Sequence, residues 1–188
     1  VAVLPLLGVG GAQLYKAETP GPMKDAKLTP RIAETARGLW TVYFVGCIAC
    51  MFAYRWAGMS WPDAFMHMCT TMSTAGFSSH DASFGYWNSP LIEGVSVFFM
   101  MLAGVSVALY FLAWRRRSLA PLWRNTEARA FVGVMAASVL LISLYLWLDG
   151  IYDDYRVALR HTLFHVVSVG TTTGYATQDY TQWPPFSS

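Results

Sequence analysis

Charged residues are scarce in this sequence: they make up 13% of its 188 residues, whereas hydrophobic residues make up 55%. An ordinary soluble domain carries about 25% charged residues, so the composition argues against a soluble protein and favours one that lies in a lipid bilayer. The basic residues that are present form short blocks between apolar runs, without the motifs of nucleic-acid-binding domains. We therefore predict a membrane partner and no nucleic-acid partner.

Cysteine is also rare. The three cysteines, Cys47, Cys50 and Cys69, lie in apolar stretches, and no second pair accompanies the Cys47-x-x-Cys50 spacing. This pattern does not predict a zinc or redox site, so we interpret the cysteines as small hydrophobic side chains. Residues 1–11 are apolar but lack the basic start of a signal peptide, and we expect them to be the end of a preceding membrane helix.

Three apolar stretches are long enough to cross a membrane. A hydrocarbon core of about 30 Å requires roughly 20 helical residues, and residues 38–57, 90–114 and 130–148 meet this length. The second span contains Glu93 near its outer end. Because ionisable groups in a membrane are costly, Glu93 either extends to the interface or has a role in the mouth of a pore.

The basic residues define a topology. Residues 58–89 contain no Lys or Arg, whereas 11–37 and 115–129 contain five each. Since cytoplasmic loops carry an excess of Lys and Arg, the connection 12–37 and the loop 115–129 are predicted to face the cytoplasm. The chain is thus expected to be a multi-pass protein with its other connections outside.

Each outward connection contains an apolar stretch that is too short to cross. Residues 62–73 and 155–170 have the length of re-entrant pore helices. Ser60 and Asp63 fit the start of the first helix, and Asp153 and Asp154 fit the start of the second.

An internal repeat links these two short helices. Each precedes a glycine-centred segment, and His67 and His165 both lie nine residues before the glycine, while Thr70 and Ser168 both lie six before it. The predicted fold is therefore an all-α membrane protein built from repeated units of transmembrane helix, re-entrant pore helix, filter loop and transmembrane helix. The two filter segments are 74–78 and 171–176.

These segments suit a K⁺ filter. Irregular backbone at membrane depth is tolerated only where it lines a cavity, glycine permits unusual backbone angles, and rings of carbonyl oxygens can replace the hydration shell of K⁺. We therefore predict K⁺ as the transported ion, without an organic cofactor, and we expect the aromatic rings to pack the segments against neighbouring helices. The predicted filter residues, acting mainly through main-chain carbonyls, are Thr74, Ala75, Gly76, Phe77, Thr172, Thr173, Gly174 and Tyr175.

Two other functions fit parts of the sequence. His161 and His165 stand four residues apart on a helix, a spacing that allows two imidazoles to share a metal in a membrane-embedded metalloenzyme. A membrane scaffold that conducts nothing is the second alternative. The pore interpretation predicts that the chain is not an enzyme.

Several specific motifs resemble a known family. They are the run from Gly8 to Asp25, Pro30-Arg-Ile-Ala-Glu-Thr-Ala36, Gly76-Phe-Ser-Ser-His-Asp-Ala-Ser83 and Thr172-Thr-Gly-Tyr175. Together they are similar to the Trk/Ktr/HKT superfamily of K⁺ transporters, in particular to its TrkH-type bacterial subunits.

The resemblance implies four span, pore-helix, span repeats around one axis, of which this chain would hold about two as an internal fragment. It also implies a homodimer in the bacterial inner membrane that is coupled to a cytosolic nucleotide-binding regulatory subunit. One departure is Gly104-Val-Ser-Val107, where TrkH-like proteins often carry an Asn.

Overall fold

The computed structural model describes residues 32–178, and all regular elements in this range are helical. The predicted membrane helix at 1–11 and most of the connection 12–37 lie outside the described residues. The α-helices are α1 (Ile32–Ala57), α2 (Trp61–Met72), α3 (Pro90–Gly104), α4 (Val107–Arg116), α5 (Ala120–Arg124), α6 (Thr126–Leu148) and α7 (Tyr155–Gly170), and a 3₁₀ helix covers Ser83–Tyr86.

The membrane spans differ in continuity. Within the described range, residues Thr35–Ala57 of α1 and Thr126–Leu148 of α6 are long and apolar enough to cross a membrane, and α3 with α4 would make a third span only as a broken helix. The span predicted at 90–114 is thus not one continuous helix. Val105 is extended, with φ −93° and ψ 142°, and it ends α3 directly after Gly104.

Gly104, directly before the break, packs closely against two other elements. A Cβ atom at Gly104 would lie 2.9 Å from the Phe131 ring and 3.3 Å from Thr171 Cγ2, so the glycine allows α3 to approach these side chains closely. Glycine and the β-branched valines that follow it are poor helix formers. Hydropathy does not distinguish such a break from a continuous span.

The described chain divides into two compact units. One contains 32–46 and Ser106–Asn125, and the other contains Cys47–Val105 and 126–178. In the first unit, Ala108 and Phe111 of α4 form a small core with Leu39 and Val42. Gly38 permits this packing, because a Cβ there would lie 2.0 Å from the Phe111 ring.

The second unit contains both short helices. Helix α7 packs against α6 and α3, and α2 packs against α3. The Ser60 hydroxyl accepts a hydrogen bond from the Asp63 amide and starts α2, while the Asp154 carboxylate accepts one from the Arg156 amide and starts α7. Both caps satisfy amides that the first turn of a helix leaves unpaired.

Candidate functional site

The two predicted filter segments adopt the same unusual backbone. Thr74 and Gly76 have φ values of 52° and 69°, and the equivalent Thr172 and Gly174 have 60° and 87°. A threonine in this left-handed region is uncommon, because its Cβ crowds the backbone. The internal repeat therefore extends from the sequence to the main-chain conformation.

The first amide groups of both segments donate hydrogen bonds to the preceding helix. Ala75 N–H donates to Thr70 O at 2.9 Å, and the equivalent Thr173 N–H donates to Ser168 O at 2.8 Å. Among the hydrogen bonds of residues 32–178, none ends on a carbonyl oxygen of 74–77 or 172–174. These carbonyls remain available to another partner.

The structure brings the two segments into contact. A Cβ atom at Gly76 would lie only 1.8 Å from Thr173 O, whereas one at Gly174 would meet no atom within 4 Å. The first segment therefore approaches the second at Gly76 and Thr173, and the assignment of the eight residues to a filter stays a prediction.

The aromatic residues that follow the glycines have different surroundings. Tyr175 is 2% exposed, and its hydroxyl lies within hydrogen-bonding distance of Thr70 and Thr71 on α2. The Thr71 hydroxyl also contacts the Tyr54 hydroxyl at 2.8 Å. Phe77 is 75% exposed in the described structure, so the expected aromatic packing is found only at Tyr175.

A polar shell lies behind the second segment. Thr177 Oγ1 lies 3.1 Å from His161 Nδ1 and 3.2 Å from His165 Nε2. The Ser168 hydroxyl donates to Tyr175 O at 2.7 Å. The two histidines thus contact a shared hydroxyl, and within 32–178 no group of three or more His, Cys, Asp or Glu side chains is arranged to hold a metal.

The equivalent histidine of the first repeat contacts the end of its own filter segment. His67 Nε2 lies 3.0 Å from Ser78 Oγ, and its Nδ1 lies 2.8 Å from Asp63 O. His67 is completely buried. A histidine nine residues before the glycine therefore supports the end of each segment.

Asp63 is the acidic group bound to the end of the first segment. Its carboxylate accepts hydrogen bonds from Ser60 Oγ at 2.6 Å and from Ser79 Oγ at 2.8 Å. The Ser60 bond is the main cause that lowers the pKa of Asp63, with Ser79 and His80 adding to it, so this group is negative at neutral pH. Sequence reasoning treated Asp63 only as part of a helix start.

Comparison with known proteins identifies the family. The model of the TrkH family, described as a cation transport protein, matches residues 1–188. The chain belongs to this family. Its membership confirms the resemblance seen in the motifs and, since these proteins are transporters, the expectation that the chain is not an enzyme.

Several relatives of the chain are named as potassium uptake proteins. The chain is 46% identical over 186 residues to the Trk system potassium uptake protein TrkH of Salmonella typhimurium, covering 99% of this chain and 38% of that protein. It is 45% identical over 184 residues to TrkH of Halomonas elongata, covering 98% and 38%.

A solved structure supports the fold. The crystal structure of the potassium transporter TrkH from Vibrio parahaemolyticus matches with a TM-score of 0.79 at 36% identity, over 98% of this chain and 36% of that one. The all-α membrane fold is therefore confirmed. The chain spans well under half the length of these relatives.

Proposed function

We propose that the protein takes up K⁺ across a bacterial cytoplasmic membrane, and that residues 74–78 and 171–176 contribute two filter segments to its ion path. The names of the relatives support the choice of ion. Filter residues act through their main-chain oxygens, which take the place of the hydration shell of the ion.

One observation carries this proposal: the first amides of each segment pair with the preceding helix, whereas the carbonyl oxygens of 74–77 and 172–174 accept no hydrogen bond from residues 32–178. An unpaired carbonyl that is buried in a membrane protein is costly unless water or a cation contacts it. The two segments also touch at Gly76 and Thr173, which brings carbonyl groups of both repeats close to one another.

The surrounding charges favour a cation. Helices α2 and α7 end directly before the segments, and the C-terminus of a helix carries about −0.5 of a charge from its aligned peptide dipoles. The negative Asp63 lies at the outer end of the first segment. Both features raise the local concentration of cations.

The partners follow from the family and from the charge pattern. We propose a homodimer whose basic loops, 12–37 and 115–129, face the cytoplasm and a nucleotide-binding regulatory subunit. The loop 115–129 contains five Arg residues and one Glu, an excess of positive charge that is consistent with the inner side of a membrane.

The test is K⁺ uptake by the full-length protein in cells that lack their own K⁺ transporters, grown at limiting K⁺. Gly76→Ser and Gly174→Ser should weaken uptake and the preference for K⁺ over Na⁺, because a side chain at a positive φ disturbs the carbonyl arrangement. Gly133→Ser is the matched control, since this glycine lies in α6 with open space beside it.

Unchanged selectivity in both filter variants would contradict the filter assignment. No uptake by the well-expressed parent would instead favour a scaffold that conducts nothing.

A further inference from the structure

The connection that follows the first filter segment contacts the outer end of the second. We name residues Ser83–Glu93, which contain the 3₁₀ helix and the first turn of α3, the outer brace. Gly85 N–H donates to Ala176 O at 3.3 Å, and Ala176 N–H donates to Ser83 Oγ at 3.3 Å. A Cβ at Gly85 would lie 2.7 Å from Thr177 O, so the two chains pack closely here.

A charged pair joins the same brace to helix α7. Arg160 Nε donates to Glu93 Oε2 at 2.7 Å, and its Nη2 donates to Glu93 Oε1 at 2.6 Å and to Asn88 Oδ1 at 3.1 Å. Only 4% of the Glu93 side chain is exposed, against 29% of the Arg160 side chain. Glu93 therefore does not extend to the interface; it forms a bidentate pair inside the protein.

Such a pair has a strict geometry. Two parallel hydrogen bonds from a planar guanidinium fix the distance and the orientation of the two groups. Removal of Arg160 leaves the buried Glu93 charge without compensation, which is strongly unfavourable. The pair thus holds α7 at a defined position against the start of α3.

The middle of the brace is also fixed. Phe84 is completely buried, and its ring centroid lies 4.5 Å from that of Tyr175 and 5.3 Å from that of Phe164. The brace is therefore packed against both the second filter segment and the helix that precedes it.

From these contacts we infer that the outer brace is a positioning device for the second filter segment, and that Glu93 and Arg160 are its principal positioning residues. This inference rests on the proposed function. Helix α7 carries Arg160 near its start and the filter segment at its end, so a shift of the helix moves the carbonyls. Ion discrimination by carbonyls depends on their arrangement, and a displacement of about 1 Å can cost a large factor in activity.

The experiment uses the full-length protein with Glu93→Gln, Arg160→Gln and the exchanged pair Glu93→Arg with Arg160→Glu. Uptake of K⁺ and Na⁺ is measured over a range of concentrations, together with the gain in melting temperature when K⁺ replaces Na⁺ in the purified protein. The controls are Glu127→Gln and Arg156→Gln, which change exposed charges, the latter on the same helix as Arg160.

We expect each single variant to lower the K⁺ over Na⁺ preference about tenfold, with a higher KM for K⁺, and the exchanged pair to restore part of it. The controls should retain the parental preference. Ser83→Ala removes only the hydroxyl that contacts Ala176, and it should shift selectivity in the same direction if the charge variants fail to fold.

Variants that lose melting temperature but keep the parental KM and selectivity would overturn the inference, because the pair would then only stabilise the fold. Failure of the proposed function looks different: the parent itself takes up no K⁺. In that case, the melting temperatures still test the brace. A smaller gain with K⁺ in the variants than in the parent supports it, and an equal gain in the parent and all variants overturns it.

Discussion

The two filter segments share a backbone conformation but not an environment. In the first, Gly76 is pressed against Thr173 while Phe77 is 75% exposed; in the second, Gly174 has open space beside it while Tyr175 is 2% exposed. The shared backbone follows the similar local sequence, whereas the surroundings within residues 32–178 differ, because Tyr175 packs against α2 of the other repeat and Phe77 is exposed. The second segment is held by α2 and the outer brace, both of which belong to the first repeat.

The largest expected effect distinguishes the two glycines. Gly76→Ala should abolish K⁺ uptake, because its Cβ would collide with the main chain of Thr173 in addition to the strain of a positive φ. Gly174→Ala carries the same strain, about 1–2 kcal/mol, but meets no atom of residues 32–178, so within this part of the protein it should be the milder variant. Rates in cells, corrected for expression, measure both variants. Equal losses would show that a further part of the full-length protein contacts Gly174, as Thr173 contacts Gly76.

A smaller effect is expected at the aromatic positions. Tyr175→Phe leaves Thr70 and Thr71 without the phenolic hydroxyl they contact, and we expect a loss of about 1–3 kcal/mol in the free energy of unfolding. Tyr86→Phe is the control, since Tyr86 is 60% exposed. The melting temperature of the purified protein is the measurement. A control that falls as far as Tyr175→Phe would show that the hydroxyl contacts contribute little.

The smallest expected effect is on the free energy of unfolding, at the hydroxyl residues three positions after each filter glycine. Thr177→Val keeps the shape but removes the hydroxyl between His161 and His165, and it should cost about 1–2 kcal/mol. Ser79→Ala, at the equivalent position of the first repeat, removes an exposed hydrogen bond to Asp63 and should cost less than about 0.5 kcal/mol. Melting curves of the two variants test this order, and the reverse order would contradict it.

Helix starts and the register of the repeat could be predicted from the sequence, because both depend on local chemistry. Ser60 and Asp154 are side-chain caps that act within two or three residues. The glycines and the histidines nine residues before them occupy fixed positions in each unit, and the structure gives both glycines a positive φ.

Contacts between separate elements could not be predicted in the same way. Hydropathy detects length but not the break at Val105, where α3 ends. The charge of Glu93 was visible as an anomaly, yet no pattern indicated Arg160 as its partner. Hydrophobic periodicity shows which face of a helix is apolar, but it does not show how two helices align with each other.

The buried position of Phe84 has a consequence for biosynthesis. Its ring packs against Phe164 and Tyr175, residues that a ribosome adds only after the whole of α6. The packing around Phe84 is therefore complete only after both hairpins have been synthesised, so the earlier hairpin reaches its final structure on the later one.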